Sequence, residues 1–453
     1  MTKYSTDKSA LYLVSGQSNA WKGKYNMILK RSTMAVLSLV ISILFIGCAA
    51  KGLPGDIVPG KEKTTTKSNP TTEQSNAQVN ANGDISQDTP VITDASTELP
   101  TEPPIPEKTV LSFIAAGDNI IHGNIYDDAK LRAKEGQTFN FDDMYTGMAH
   151  YISGHDIALI NQETPIAGSE FPFSGYPNFN SPAESAQALI DLGFDIVTLA
   201  NNHMLDKGEK GYINSIEYWK SKTEVLAVGA YENAEDYEKI RIYEKSGIKI
   251  AVLTYTYGTN GMKLPAGSTM IIPMIDKTVM DRHITMAKQQ ADLVFVVMHW
   301  GNEDAFEPTS TQKDLAQFMV DRNVDAIIGM HPHVIEPIKW ADRPDGKKCL
   351  LAYSLGNLIS TMNPGRNMLG ALLRFDIFKS GDEITLHNAL MIPVITHYDS
   401  RRHNLQVYDF KDYTPELAKA HGTNDQPYPF SYDYILGLIK DTIDPAFLDD
   451  FYK

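Results

Sequence analysis

The chain has 453 residues, 42% of them hydrophobic, and a formal net charge of −15. That length allows two or three domains, and the apolar share suits an ordinary globular core. The acidic balance argues against a general nucleic-acid binder, which needs a basic face, and the two cysteines, Cys48 and Cys349, are too few for a disulfide framework or a cysteine-rich zinc site.

Residues 1–26 are polar, and the segment Met27-Ile28-Leu29-Lys30-Arg31 has the form of a signal start, so 1–26 are read as a start-site extension ahead of it. An apolar stretch follows from Ala35 to Ile46, interrupted only by Ser38 and Ser42, and ends in Gly47-Cys48. A span needs about 20 apolar residues. This run is shorter, and with its basic flank and small residue before the cut it reads as a secretory signal over 27–48. The Gly-Cys ending resembles the bacterial lipobox, although Phe45 stands where leucine is commonest. That resemblance implies a diacylglycerol on Cys48 and a protein lipid-anchored to the bacterial cell membrane. The other reading is an uncleaved N-terminal anchor; in both, the rest of the chain is extracytoplasmic. Residues 49–108 are rich in Thr, Ser, Pro, Asn, Glu and Gln and contain no aromatic residue. Such a segment buries too little to offset its ordering entropy and is expected to be a disordered tether.

Regular structure is expected from residue 109 to 453 as one domain. Strand-like apolar runs recur at Leu111–Ala116, Asp156–Ile160, Asp195–Ala200, Val225–Gly229, Ile248–Tyr255, Leu293–His299, Ala326–Gly329, Leu350–Leu355 and Leu372–Phe378. Several are continuous rather than alternating, as strands covered on both faces are. Between them, Pro182–Leu192, Glu209–Lys220, Asp276–Gln290 and Thr311–Asn323 carry helical spacing. Strand–helix alternation predicts an α/β fold, and the consecutive strands from Leu372 to Ile395 make the sheet mixed. Cys349, at the head of an apolar run, is expected in the core. The aromatic-rich segment Tyr428–Lys453 is expected to pack as a short helical appendage.

Polar residues suited to metal binding stand where strands end, the place α/β sheets bind ligands. They are Gly117-Asp118, Asn161-Gln162-Glu163-Thr164-Pro165, Ala200-Asn201-Asn202-His203-Met204-Leu205-Asp206-Lys207-Gly208, His299-Trp300-Gly301-Asn302-Glu303, Gly329-Met330-His331-Pro332-His333 and Tyr353-Ser354-Leu355-Gly356-Asn357. Singly, each reads as a turn or a helix cap. Together they are oxygen and imidazole donors at successive strand ends, which a core does not require. A two-metal hydrolase needs such a mixture: a bridging carboxylate, neutral imidazoles and an amide oxygen.

These six ordered blocks resemble the signatures of the CapA family of capsule-synthesis proteins, associated with poly-γ-glutamate and related to calcineurin-like metallophosphoesterases. The resemblance implies a four-layer α/β/β/α sandwich with mixed sheets and two divalent ions, for which manganese, iron or zinc suit the ligands. It implies that Asp118 and His333 serve the first metal, that Glu163 bridges, and that Asn202, His299 and His331 serve the second. His203 would be the general acid. Asp206 would either orient His203 or cap the following helix, with capping slightly favoured. Asn260, in Thr259-Asn260-Gly261, would bind substrate or sit in a plain turn. Two departures bear on catalysis. The related Asp-x-His motif reads Asp118-Asn119-Ile120, with His122 displaced by two, and Gln162 replaces an apolar residue before the acid. Three functions are compatible: a cell-surface phosphoesterase, a non-catalytic factor that exports or anchors capsule, and a metal-dependent amidase of the acidic polymer. The partners implied are the membrane, an acidic capsule polymer and capsule-synthesis proteins.

Overall fold

The structure is a computed structural model that describes residues 108–425 and 430–453. The segments expected to be a start-site extension, a signal ending at Cys48 and a tether lie, up to residue 107, outside the described residues.

Strands β1 (Lys108–Asn119), β2 (Ile157–Gln162), β3 (Ile196–Thr198) and β4 (Leu226–Val228) begin a first sheet. The chain then builds a second from β5 (Arg241–Lys245), β6 (Ile248–Thr256), β7 (Leu293–His299), β8 (Ala326–Met330), β9 (Ile338–Asp342) and β10 (Lys348–Ala352). It returns to the first with β11 (Asn357–Ile359), β12 (Leu369–Ser380), β13 (Glu383–His397) and β14 (Gln406–Asp409). The first sheet runs β14-β13-β12-β1-β2-β3-β4 with β11 paired to β1, and the second runs β5-β6-β7-β8-β10-β9. Strands β1 to β4 are mutually parallel while β12 is antiparallel to β1, so the first sheet is mixed. In the second, β6, β7, β8 and β10 are parallel between antiparallel edge strands β5 and β9.

The two sheets face each other, and the alternation of side chains along each strand explains the continuous apolar runs. Phe113 and Ala115 of β1 point into the space between the sheets, where Phe113 meets Phe295 of β7 edge-on at 5.3 Å, while Ile114 and Ala116 point outward. The outer face of the first sheet is covered by α1 (Gly123–Leu131), α2 (Ala183–Leu192) and α3 (Gly208–Lys220), through Ile125, Leu189 and Trp219. That of the second is covered by α4 (Lys277–Gln290) and α5 (Ser310–Val320), through Ile284 and Met319. The result is the expected four-layer α/β/β/α sandwich. Helix α6 (Tyr432–Thr442) sends Ile435 and Ile439 into the inter-sheet core, which makes the C-terminal segment part of the domain. Cys349 is buried, as expected. Among the described residues no helix is long and apolar enough to cross a membrane.

Helix boundaries follow their caps. Asp276 accepts from the backbone of Thr278 and Val279 to open α4, and Thr309 with Gln312 forms a capping box that opens α5. Gly193, in the left-handed region, stops α2. The run expected as one strand, Leu350–Leu355, is two features: β10 ends at Ala352, and residues 353–356 carry the chain from the second sheet to the first. Gly356 makes the crossing at φ 63°, and its N–H donates to Ser354 Oγ at 3.1 Å. The edge strands β5 and β9 and helix α1 were not expected from pattern. Their burial is partial and irregular, so neither a period of two nor one of 3.6 stands out.

Candidate metal centre

Parallel strands from both sheets end on one side, and their last residues meet. Asp118 is the penultimate residue of β1, where Gly117 lets the Gly356 backbone approach: a Cβ at Gly117 would lie 2.0 Å from Gly356 O, and Asp118 N–H donates to that same oxygen at 2.9 Å. Glu163 follows β2, Asn202 and His203 follow β3, His299 closes β7, and His331 and His333 follow β8. Gly329 in β8 is required for a similar reason, since a Cβ there would lie 1.7 Å from Tyr353 O.

All of these side chains are buried. Asp118, Glu163 and His299 present ligand atoms within 4.8 Å of one another, and so do Glu163, His331 and His333. Glu163 belongs to both groups. Its Oε1 lies 3.8 Å from His299 Nε2 and 3.8 Å from His333 Nε2. Asn202 Oδ1 approaches His299 Nε2 at 2.9 Å, and Asp118 Oδ2 approaches His333 Nδ1 at 3.4 Å. Asp118 is held from two sides, accepting from Asn161 Nδ2 at 2.7 Å and from His331 N–H at 3.0 Å. The second of these bonds helps hold His331 at φ 98°, and His333 also sits in the left-handed region at φ 57°. Non-glycine residues adopt that region rarely and at a cost, and such residues gather at functional sites.

The donor set fits a cation. Both oxygens of Glu163, together with His299 Nδ1 and His331 Nδ1, are buried without a hydrogen-bond partner. Leaving such groups bare is expensive, so they call for something the protein atoms do not supply. Burial, then the nearby Asp118 carboxylate, pushes Glu163 well above the usual carboxylate range. Burial holds His299 well below the usual histidine value, reinforced by His331 and His333, and holds His331 down at about 3. Both imidazoles therefore stay neutral, the form that binds metal. His333 behaves oppositely. Burial lowers it, but the Glu163 and Asp118 carboxylates outweigh burial and raise it to about 10. The field between these two carboxylates thus favours positive charge.

Asp206 corrects an expectation. It does not cap α3, whose preceding residue is Lys207 and which has no side-chain cap. Its Oδ2 lies 2.8 Å from His203 Nδ1 and accepts from Phe179 N–H at 2.7 Å, because the chain turns between residues 203 and 207 and brings the carboxylate back under the imidazole. Asn260 does occupy a turn, at φ 50°, yet its amide also reaches inward: Oδ1 accepts from Asn202 Nδ2 at 3.2 Å and Nδ2 lies 3.4 Å from His203 Nδ1. His122 joins neither carboxylate–histidine group. Its Nδ1 accepts from Thr361 N–H at 3.4 Å, and burial, with His333 and His203 nearby, lowers it to about 3. Gln162 is a strut: its Oε1 accepts from Asn119 Nδ2 at 2.7 Å, and Tyr145 donates to Asn119 Oδ1 at 2.8 Å.

Three residues at the centre were not singled out from sequence. Asn161 orients Asp118, and Asn357 Oδ1 contacts His333 Nδ1 at 3.1 Å. Both lie inside blocks already quoted, so the signal was present. Tyr257, whose ring lies 4.4 Å from that of His331 and stacks over His299 at 6.3 Å, has no such signal, being one of two tyrosines, with Tyr255, near the end of β6. Burial, then Glu303 and Glu163, pushes its hydroxyl up to about 12.

Comparison with known proteins agrees with the blocks. The family described as bacterial capsule synthesis protein PGA_cap matches residues 112–362. The chain is 32% identical to the PGA biosynthesis protein CapA of Bacillus subtilis (strain 168) over 228 residues, 47% of this chain and 56% of that protein. It is 32% identical to the capsule biosynthesis protein CapA of Bacillus anthracis over 254 residues, 54% of this chain and 60% of that protein. It thus spans between half and two thirds of the length of these curated relatives. Among solved structures, it is similar to a phosphatase of Mycoplasma pneumoniae, with TM-score 0.42 and 13% identity over 64% of this chain and 95% of that one. It is also similar to the calcineurin-like phosphoesterase YfkN of Bacillus subtilis, with TM-score 0.35 and 11% identity over 74% of this chain and 97% of that one.

Proposed function

The chain belongs to the bacterial capsule synthesis family PGA_cap, and on that premise we propose that it is a metal-dependent, phosphoesterase-like hydrolase of the cell surface. It would act in the synthesis of poly-γ-glutamate or another envelope polymer. The observation that carries this reading is Glu163 of the first sheet, whose two buried oxygens have no hydrogen-bond partner and whose Oε1 faces His299 and His333 of the second sheet. Asp118 and His333 would hold one divalent ion, Asn202, His299 and His331 a second, and Glu163 would bridge them. Bound there, such ions would supply an activated water and a clamp on phosphoryl oxygens. The chain's own residues do the rest. His203, fixed through Nδ1 by Asp206, would give a proton to the leaving oxygen, and Asn260 would contact substrate beside it. The Gly47-Cys48 ending supports a lipid anchor that would hold the protein on the extracytoplasmic side of the cell membrane.

A second reading, a non-catalytic factor that exports or anchors capsule around a binding metal, draws support from Ile120, which stands buried where the related motif carries histidine. The two separate on turnover. The metal-loaded protein should hydrolyse phosphate esters, and His203→Ala should abolish this while keeping its metal. Absence of turnover in a metal-replete protein would favour the second reading.

A further inference from the structure

Tyr176 is 77% exposed, the most open of the large exposed hydrophobic side chains among the described residues. It stands at the tip of the loop spanning 168–181, and that loop is pinned. Ser174 and Asn180 exchange backbone hydrogen bonds at 3.1 and 3.0 Å. The buried Asn180 side chain donates to Gly168 O and Phe171 O, each at 3.0 Å, and accepts from Ala167 N–H at 2.9 Å. Phe179 N–H is tied to Asp206. Binding residues are disproportionately carried on loops that a rigid scaffold positions.

Ring contacts lead from Tyr176 into the centre. Its ring centre lies 6.4 Å from that of Phe179, whose ring centre lies 4.8 Å from that of His203 with the two planes nearly perpendicular. On the flank of the other histidines, Tyr257 keeps 43% of its surface exposed while its ring covers His331 and His299. Ring packing therefore leads from the exposed Tyr176 through the buried Phe179 to the group placed to protonate a leaving oxygen, while Tyr257 carries exposed aromatic surface beside the histidines placed to hold a metal.

We propose that Tyr176 and Tyr257 are ring-recognising walls of this centre, and that its substrate is a phosphate ester whose alcohol carries a flat heterocycle or a sugar ring. This rests on the hydrolytic reading above and names the substrate class for it. In the reaction, the oxygen of water bonds to phosphorus, the bond from phosphorus to the alcohol oxygen breaks, and that oxygen takes a proton from His203. The alcohol then leaves on the His203 side, where Phe179 and Tyr176 stand. An aromatic face discriminates by offset stacking with a flat ring or by contact with the C–H face of a sugar. A γ-linked glutamate chain offers neither, so this surface selects against the acidic polymer as the reacting molecule.

The test uses the full chain, metal-loaded, with three probes: adenosine 5′-phosphate, glucose 6-phosphate and glycerol 3-phosphate. The ratio of kcat/KM for a ring-bearing probe to that for glycerol 3-phosphate should exceed one, should fall about two- to tenfold in Tyr176→Ala, mainly through KM, and should recover in Tyr176→Phe. A response with the adenosine probe alone assigns a heterocycle, and one that includes glucose 6-phosphate assigns a sugar. A ratio that does not move overturns the proposal. Should no ester turn over, the hydrolytic reading fails by itself. Equilibrium dialysis of the same probes then decides: ring-selective binding lost in Tyr176→Ala keeps the recognition surface, and unselective or absent binding overturns it.

Discussion

Asp206 Oδ2 lies 2.8 Å from His203 Nδ1, and the same oxygen accepts the Phe179 N–H at 2.7 Å. One buried carboxylate thus sets the imidazole and ties the loop beside it. With Nδ1 engaged by Asp206, Nε2 is the nitrogen free to exchange a proton with a substrate.

Removal of that proton donor should be costly. His203→Ala is expected to lower kcat by about 10²–10⁴-fold, the usual worth of a general acid. Asp206→Asn should lower it less but in the same direction, with KM and metal content little changed. Steady-state kinetics with elemental analysis checks both, and an Asp206→Asn variant of full activity would remove Asp206 from the mechanism.

Metal should also stabilise the fold, independently of turnover. A ligand at 100 times its Kd adds about 2.7 kcal/mol, enough to raise Tm by several degrees. Manganese or zinc added to the stripped protein should give this rise. Glu163→Gln, which removes the carboxylate shared by both ligand groups, should abolish most of it. Calorimetry with and without a chelator reads the effect.

Tyr145 supports the centre from below. Tyr145→Phe leaves Asn119 Oδ1 without its 2.8 Å donor in a buried setting, which should cost about 1–3 kcal/mol. Urea unfolding should show a lower midpoint with an unchanged slope. An unchanged midpoint would mean that the strut is dispensable.

Glu336 gives a pH test away from the centre. It is buried, with Oε2 accepting from Gln312 Nε2 at 2.7 Å and Oε1 unpartnered. Burial, only partly offset by the Gln312 hydrogen bond and reinforced by the nearby Glu307, pushes its carboxyl up to about 8, from an ordinary 4.5. The folded state therefore prefers the protonated form. Its contribution to stability is complete below about pH 4.5 and is lost as pH rises through about 8. Glu336→Gln stays neutral throughout, so at pH 9 it should exceed the native protein in stability by at least about 1 kcal/mol, roughly one pKa unit's worth, and this advantage should be much smaller at pH 5. Thermal melts at the two pH values check the sign.

Much of this was legible beforehand, for physical reasons. Runs such as Leu293–Met298 are apolar at every position because each strand is covered by the other sheet on one face and by helices on the other. The candidate ligand residues were legible because Asp, Glu, Asn and His at the ends of apolar strands have no place in a plain core. What pattern did not reveal depends on three-dimensional return of the chain. The 353–356 segment reads as strand, yet it crosses between sheets. Asp206 reads as a cap because caps are local, whereas its partners are His203 and the distant Phe179. The edge strands β5 and β9 are half-exposed and carry too weak a period to announce themselves.

The most direct test of the central claim is metal content per chain, by elemental analysis of the purified full-length protein after loading with manganese, iron or zinc, beside an Asp118→Ala, His331→Ala double variant. About two ions per chain, lost in a variant that still folds, is the expected result. A folded native protein that retains little or no metal would contradict the account and leave a binding or assembly role in its place.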